Sequence, residues 1–410
     1  NHLAVMAYRN GRPEIISTIE TGPITEFSSS ENTYEQVFCE IISKYQITLV
    51  HFHHLKGLPL SLPIFGRALG CRIVFTLHDF YMLCHRYTLL RTNDVFCEVH
   101  QYEDHRHLCN ICLQSSGLKA DSRNRRLEIT QRSMAAVDCV LASTESSAYI
   151  ASKVFPDQAE KFKILEMVTP QIDISPHRQL EQLCQASKEG PLTVAVIGNA
   201  VRHKGIMTLI EVISASKGLP LEFHIFGATD ELDEFFENAG ISSSESPIAT
   251  YTYGYKRSTL ISALQELHVS LFLSTWPETY HISLGEAMYM GVVPIATNLG
   301  AHNDRIQHEK NGLLVDPHDS QAVVKSLLRL HSDRKFLGSL RKNAKSVKLM
   351  DIEEHGQRLE KIYSDLKTIP TLCPNKRELL LNSQINLSAL GVRLGQDLWS
   401  ENSVDWDDPA

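Results

Sequence analysis

The run Trp276-Pro277-Glu278-Thr279-Tyr280-His281-Ile282-Ser283-Leu284-Gly285-Glu286 lies between two apolar segments. Before it, residues 268–274 (HVSLFLS) read as a buried strand; after it, residues 284–290 read as a helix and 292–296 as a second strand. The order is therefore strand, polar elbow, helix, strand, the grammar of an open α/β sheet. In such sheets the elbow sits at the carboxyl end of the strand, where ligands bind. A helix start there offers free backbone N–H groups and a positive dipole end, both suited to a phosphate. Glu278 stands in the elbow and Glu286 follows eight residues later, just over two helical turns on. A sugar nucleotide matches this layout: sugar hydroxyls on the first carboxylate, diphosphate on the amides, ribose hydroxyls on the second. Two solvated carboxylates on a surface loop would show the same spacing.

The surrounding string separates the two readings. Pro-Glu-x5-Leu-x-Glu-Ala-Met-x-x-Gly-x-x-Pro, residues 277–294, resembles the donor-site signature of the family 4 glycosyltransferases of glycosyltransferase group 1. That resemblance implies the GT-B fold, two Rossmann-like α/β domains facing each other across a cleft, and a retaining transfer from a nucleotide sugar.

Bulk properties agree with a globular chain. At 410 residues two domains are expected, and 43% hydrophobic with 21% charged residues is an ordinary composition. The net charge of −8 argues against general nucleic-acid binding, because phosphate-backbone binders are basic. No apolar run reaches the ~18–20 residues that cross a bilayer, and no signal peptide is visible. Nine cysteines, an odd count without small-scaffold spacing, fit a reducing cytoplasm. A complete first Rossmann half would open with a glycine-rich turn, and residues 1–45 hold none, so the first domain is expected to be incomplete at its amino terminus.

In the first half, residues 3–8 read as a strand, 22–33 as a loop and 33–44 as a helix. From residue 46 the rhythm is regular: a strand at 47–53, a helix at 59–69, a strand at 71–77, then strands at 138–144 and 162–166 around a helix at 145–154. His78 closes the 71–77 strand. A lone histidine there is commonly structural, but Val-His-Phe-His-His (50–54) and Phe-Thr-Leu-His-Asp-Phe (75–80) resemble the histidine-bearing strand ends of the family's acceptor domain. By that resemblance His78 faces the reacting sugar. Between them lies an insertion in which Cys84, Cys97, Cys109 and Cys112 are spaced C-x12-C-x11-C-x2-C, interspersed with His85, His100, His105 and His107. A structural zinc site and four reduced thiols both remain open. The basic helix at 119–132, with Arg123, Arg125, Arg126 and Arg132, fits a solvated face or a landing surface for an anionic lipid-linked acceptor at a membrane.

The polar run 169–190 reads as a linker, and the second half restarts with the continuous apolar strand 192–197. Gly198 opens a turn in which Arg202 and Lys204 place two cations beside the next helix, a site for a diphosphate. The turn resembles the family's Gly-Arg-x4-Lys-Gly motif with Lys204-Gly205 in register; Asn199 stands at the usual arginine position, so Arg202 supplies that charge or the grip is weaker. In relatives the Gly254-Tyr255 corner borders the nucleotide base, so the resemblance implies that Tyr255 stacks on it; a core tyrosine is the alternative. His281 stands where relatives often carry glycine, and either donates to the phosphates or narrows the site. Further strands are expected at 221–226, 248–253 and 312–317, with helices at 231–239, 258–267, 321–330, 334–350 and 353–366, the last returning to the first domain. The expected division is 1–188 for the acceptor side, 189–350 for the nucleotide side, 351–368 for the crossing helix, and 369–410 for a partly disordered tail.

The resemblance implies a transferase for cell-surface polysaccharide assembly. It would move a sugar from a nucleotide-diphosphate sugar to a glycan or lipid-linked acceptor, in the cytoplasm or at the inner face of the membrane. The donor site would comprise Gly198, Arg202, Lys204, Tyr255, Tyr280, His281, Ile282, Ser283 and Glu286, with His78 and Glu278 at the reacting sugar. No metal is needed, since amides and cations stabilise the leaving diphosphate. A non-catalytic binding module and a nucleotide-sugar epimerase of the same fold are the alternatives.

Overall fold

A computed structural model describes residues 2–9, 12–20, 32–98, 106–119, 122–169, 190–241 and 247–366. Residues 22–31 of the loop expected at 22–33, most of the linker and the tail beyond 366 lie outside these residues; 32 and 33 already belong to a helix. The chain opens with an antiparallel hairpin, β1 (His2–Arg9) and β2 (Arg12–Glu20), whose second strand the apolar pattern does not announce. Helix α1 (Asn32–Lys44) follows.

The first parallel sheet contains β3 (Leu49–Phe52), β4 (Arg72–Leu77), β5 (Cys139–Ala142) and β6 (Phe162–Ile164), neighbours in chain order. Helices α2 (Leu62–Ala68), α3 (Arg106–Ser115), α4 (Ser122–Ala136) and α5 (Glu145–Val154) connect its strands. Alternate side chains split between two faces, as the strand period of two requires. Ile73, Phe75, Leu77, Val140 and Ala142 enter one core with α2 and α4. Val74, Cys139 and Leu141 face the other way, where they meet Leu359, Ile362 and Tyr363 of the final helix (Ile352–Leu366).

The second sheet is larger. Its strands are β7 (Leu192–Ile197), β8 (Leu221–Phe226), β9 (Ile248–Thr252), β10 (Val269–Phe272), β11 (Val293–Thr297) and β12 (Leu313–Val315). They are all parallel, in the order β12-β11-β10-β7-β8-β9. Helices α6 (Ile206–Ala215), α7 (Asp230–Asn238), α8 (Arg257–Leu264), α9 (Ile282–Tyr289), α10 (Ala301–Arg305), α11 (Ser320–Ser332) and α12 (Arg334–Lys345) cover both faces. Leu192 and Val194 of β7 face one core, while Ala195 and Ile197 face the other. Such two-sided burial is why the strands read as continuous apolar runs.

The strand order places the site. From β7 the chain winds outward through β8 and β9, then returns to the other side of β7 as β10. The turns leaving β7 and β10 therefore diverge at a topological switch point, where a crevice opens at the carboxyl ends of the strands. One turn is Gly198–Gly205; the other is the Ser274–His281 elbow.

Candidate active site

The elbow is buried. Residues 271–280 are all shielded from solvent, with Glu278 only 4% exposed. Its burial is shared between the two sheets: Trp276 packs in the first core, edge-on to Phe80 at 6.3 Å. Thr279 Oγ1 donates to the His78 carbonyl at 2.7 Å, and the Thr144 hydroxyl donates to the Thr279 carbonyl at 3.2 Å. Ser146 binds Asp304 through both its amide and its hydroxyl, at 2.8 Å each. The carboxyl end of β4 and the elbow after β10 thus meet directly.

Three donors converge on one oxygen of Glu278. Lys204 Nζ lies 2.5 Å from Oε1, Ser274 Oγ 2.6 Å and Trp276 Nε1 2.8 Å. Burial alone would push this carboxyl up, but the Lys204 ammonium and the Ser274 hydroxyl hold it down at about 2. Glu278 is therefore an anion at neutral pH, with Oε2 left to meet a ligand. Lys204 reaches it because Gly205 takes φ +84° and because a Cβ there would lie 1.9 Å from the Leu273 carbonyl, so only glycine fits this crossing.

Helix α9 starts at Ile282, two residues earlier than the apolar pattern indicates, because His281 takes φ +67° and caps it. This left-handed position explains the glycine expected there. The opening amides of Ile282 and Ser283 have no acceptor inside the helix. Arg305 braces the turn: Nη1 donates to the Tyr280 and His281 carbonyls at 2.7 and 2.9 Å, and its guanidinium lies 4.0 Å over the buried Tyr280 ring. A small cavity beside β7 and β10 is lined by Gly198, Asn199, Lys204, Ser274 and His281. Glu286, 7% exposed, lies one helical face further on and accepts from Arg257 Nε at 2.7 Å. Tyr255 stands close enough to Glu286 that burial and this carboxylate both raise its phenol. Its ring also meets Phe226 edge-on at 6.5 Å.

Across the elbow, His78 Nε2 is 3.1 Å from His53 Nδ1, and the rings of His51, His53 and His78 form a stacked row. Burial lowers the pKa of His78, so its ring is neutral at pH 7. His54 pairs with Asp79 at 2.6 Å beside it.

Two expected contributors are placed elsewhere. Arg202 forms an ion pair with Asp94 of the insertion, so this cation is engaged across the crevice rather than turned to the diphosphate position. The cysteine quartet is not assembled as a ligand set: among the described residues no three His, Cys, Asp or Glu side chains could hold a metal ion together. Cys84 packs against the first core, where burial pushes its thiol up to about 11, while Cys109 and Cys112 share helix α3. His100 and His105 lie outside the described residues, as does the His107 side chain. The basic helix is largely tied to its own surroundings, with Arg126 binding the Tyr81 carbonyl and Arg132 pairing with Glu128 at 3.0 Å. Among the described residues no helix is long and apolar enough to cross a membrane. Asp94, Arg257, His302 and Arg305 were not visible as site residues in the sequence; each is brought in by a turn remote from the signature.

Comparison with known proteins points the same way. Residues 181–347 match the family model described as glycosyl transferases group 1. A curated relative, probable sucrose-phosphate synthase 2 of Arabidopsis thaliana, is 40% identical over 79 residues, which is 19% of this chain and 8% of that protein. The match thus spans less than a tenth of that relative's length. Among solved structures, the sucrose-phosphate synthase of Thermosynechococcus elongatus superposes with a TM-score of 0.60 at 17% identity, over 82% of this chain and 77% of that one. Anabaena HepE in complex with UDP gives 0.57 at 16% identity, over 81% and 82%. At such identities the likeness establishes the architecture alone.

Proposed function

We propose that this chain, a GT-B protein whose second half is a group 1 glycosyl transferase domain, moves a sugar from a nucleotide-diphosphate sugar to a glycan or lipid-linked acceptor. One observation carries the reading. At the switch point of the second sheet, an anionic Glu278 is paired with the Lys204 ammonium four residues ahead of the first amides of α9, with Glu286 further along that helix. An activated sugar needs these groups in this order.

When the bond from the sugar to the β-phosphate breaks, negative charge grows on the departing diphosphate. The Ile282 and Ser283 amides and Lys204 are placed to stabilise that charge, and such preorganised donors cost no reorganisation at the moment of reaction. Glu278 would hold donor-sugar hydroxyls through Oε2, Glu286 the ribose, and Tyr255 the base. His78, on the opposite side, would receive the sugar or the incoming acceptor. The complex of HepE with UDP supports a nucleoside diphosphate as the handle. Retention of configuration, placement in family 4 and a role in cell-surface polysaccharide assembly belong to this proposal, as does the requirement for no metal.

The test uses a panel of UDP-, ADP- and GDP-sugars, with release of nucleoside diphosphate as the readout. One donor should be consumed. Glu278→Gln, which keeps an acceptor for the three donors, should cut turnover by roughly 100-fold while nucleoside diphosphate still raises the melting temperature. Thermal stabilisation without turnover of any donor would identify a binding module. Unchanged turnover in Glu278→Gln would reject the assignment.

A further inference from the structure

Beside the cavity, two histidines are joined in a chain that begins at a backbone carbonyl. His302 is fully buried, and its Nδ1 lies 3.0 Å from the Thr297 carbonyl oxygen and 3.2 Å from the Thr297 hydroxyl. A carbonyl oxygen only accepts, so Nδ1 of His302 carries a proton. Burial pushes this imidazole down to about 4, so the ring is neutral and its Nε2 is a bare lone pair. That lone pair faces His281 Nδ1 at 2.8 Å, with the two rings stacked at 5.1 Å. His281 Nδ1 must therefore be the donor. In the neutral ring of His281 the remaining nitrogen, Nε2, is an acceptor. It has no hydrogen-bond partner among the described residues, and His281 lines the cavity.

The surroundings keep His281 neutral. Burial pushes it well below the usual histidine range; Glu278, 4.0 Å from Nδ1, pulls it toward protonation, whereas Lys204, His302 and Arg305 push the other way. Phe272 meets its ring edge-on at 4.9 Å and bears no charge. Sequence reasoning left two roles open, a donor to phosphate or a narrowing of the site. The hydrogen-bond chain does not fit the first, because a lone pair offers a phosphate oxygen nothing.

Resting on the donor-site reading above, we propose that His281 is a specificity-determining residue which accepts a hydrogen bond from a hydroxyl of the donor sugar through Nε2. His302, held by the Thr297 carbonyl, is its positioning residue and fixes the tautomer. A site that must receive a hydroxyl proton rejects a sugar lacking that hydroxyl, because the buried acceptor is then left unpaired. This corner of the crevice reads the sugar, while the amides of α9 and Lys204 read the diphosphate.

The experiment compares affinities by calorimetry for UDP, ADP and GDP, then for the glucose conjugate of the nucleotide that binds and for its monodeoxy analogues. Glycine suits the left-handed backbone at 281, so His281→Gly should fold. It should bind the nucleoside diphosphate within about two-fold of the parent, but the nucleotide sugar about ten-fold more weakly. It should also cease to distinguish one particular deoxy analogue. His302→Gln keeps a donor and an acceptor and should preserve the discrimination; His302→Phe should lose it. Imidazole nitrogen chemical shifts should show both parent rings protonated at Nδ1 only, and His281 losing that single tautomer in His302→Phe. Equal losses for nucleoside diphosphate and nucleotide sugar in His281→Gly would overturn the inference, as would unaltered discrimination. Failure of the parent protein to bind any nucleoside diphosphate would instead remove the donor-site reading itself, and this inference with it.

Discussion

Glu278 stands in the elbow and Glu286 on the helix that leaves it, eight residues on, and they are held in opposite ways. Glu278 is enclosed by both sheets, with an ammonium, a hydroxyl and an indole N–H on a single oxygen. Glu286 accepts from Arg257, whose side chain is 39% exposed. The first carboxylate is fixed before any ligand arrives. The second is tied by an arginine that is itself partly open to solvent, a contact that a ribose can replace. A crevice built this way is rigid where a bond must break and adaptable where a handle is gripped.

Removing the rigid carboxylate is expected to have the largest effect. Glu278→Ala leaves Lys204, Ser274 and Trp276 without their acceptor, and should lower unfolding stability by about 3 kcal/mol in urea titrations. A loss within about 0.5 kcal/mol would mean the convergence contributes little. Glu278→Gln is thus the better probe of chemistry, because Ala confounds turnover with folding.

Acid should expose the same asymmetry at nearly the same scale. The Glu278 carboxyl is depressed from 4.5 to about 2. A depressed carboxyl gives its stability above the unfolded value, and loses it as pH falls through the folded one. Roughly 3 kcal/mol should therefore disappear between pH 4.5 and 2, and Glu278→Gln should flatten that limb. His268 and His302, both pushed down to about 4 by burial, act in an earlier window. Their neutral forms stabilise the fold fully above pH 6.5, and that contribution is withdrawn as pH falls toward 4. Thermal unfolding across pH 7 to 2 should show two successive declines.

Smaller effects belong to the open end. Glu286→Ala should weaken nucleoside diphosphate binding by about 1–2 kcal/mol, read by calorimetry, and leave stability within about 0.5 kcal/mol. Smallest of all, Asp94→Ala should change stability by less than about 1 kcal/mol, because the Arg202 pair is exposed. It should also tighten diphosphate binding by freeing Arg202. Weaker binding would show that Asp94 assists the site instead.

The ease with which each part is read from sequence follows the same physics. Strands buried on both faces must be largely apolar, so β7, β10 and β11 stand out, and the turns after them mark the crevice. Gly205 and Glu278 are legible because backbone crossing and charge placement each demand one residue type locally. Arg257, His302 and Arg305 are not, because their roles depend on which turns the sheet order brings together. His302 lies 21 residues from His281, on the short helix α10 after β11, and no local pattern links the two rings. The insertion at 84–112 is hard to read for a related reason. Cysteine spacing bears on ligation only through geometry, and here Cys84 packs on a core while Cys109 and Cys112 share a helix.

The most direct test is a crystal structure with the tightest-binding nucleoside diphosphate. The account predicts the β-phosphate within hydrogen-bond distance of the Ile282 and Ser283 amides and of Lys204, with the ribose hydroxyls on Glu286. A nucleotide bound outside the crevice between β7 and β10, or one inside it with the ribose remote from Glu286, would contradict it.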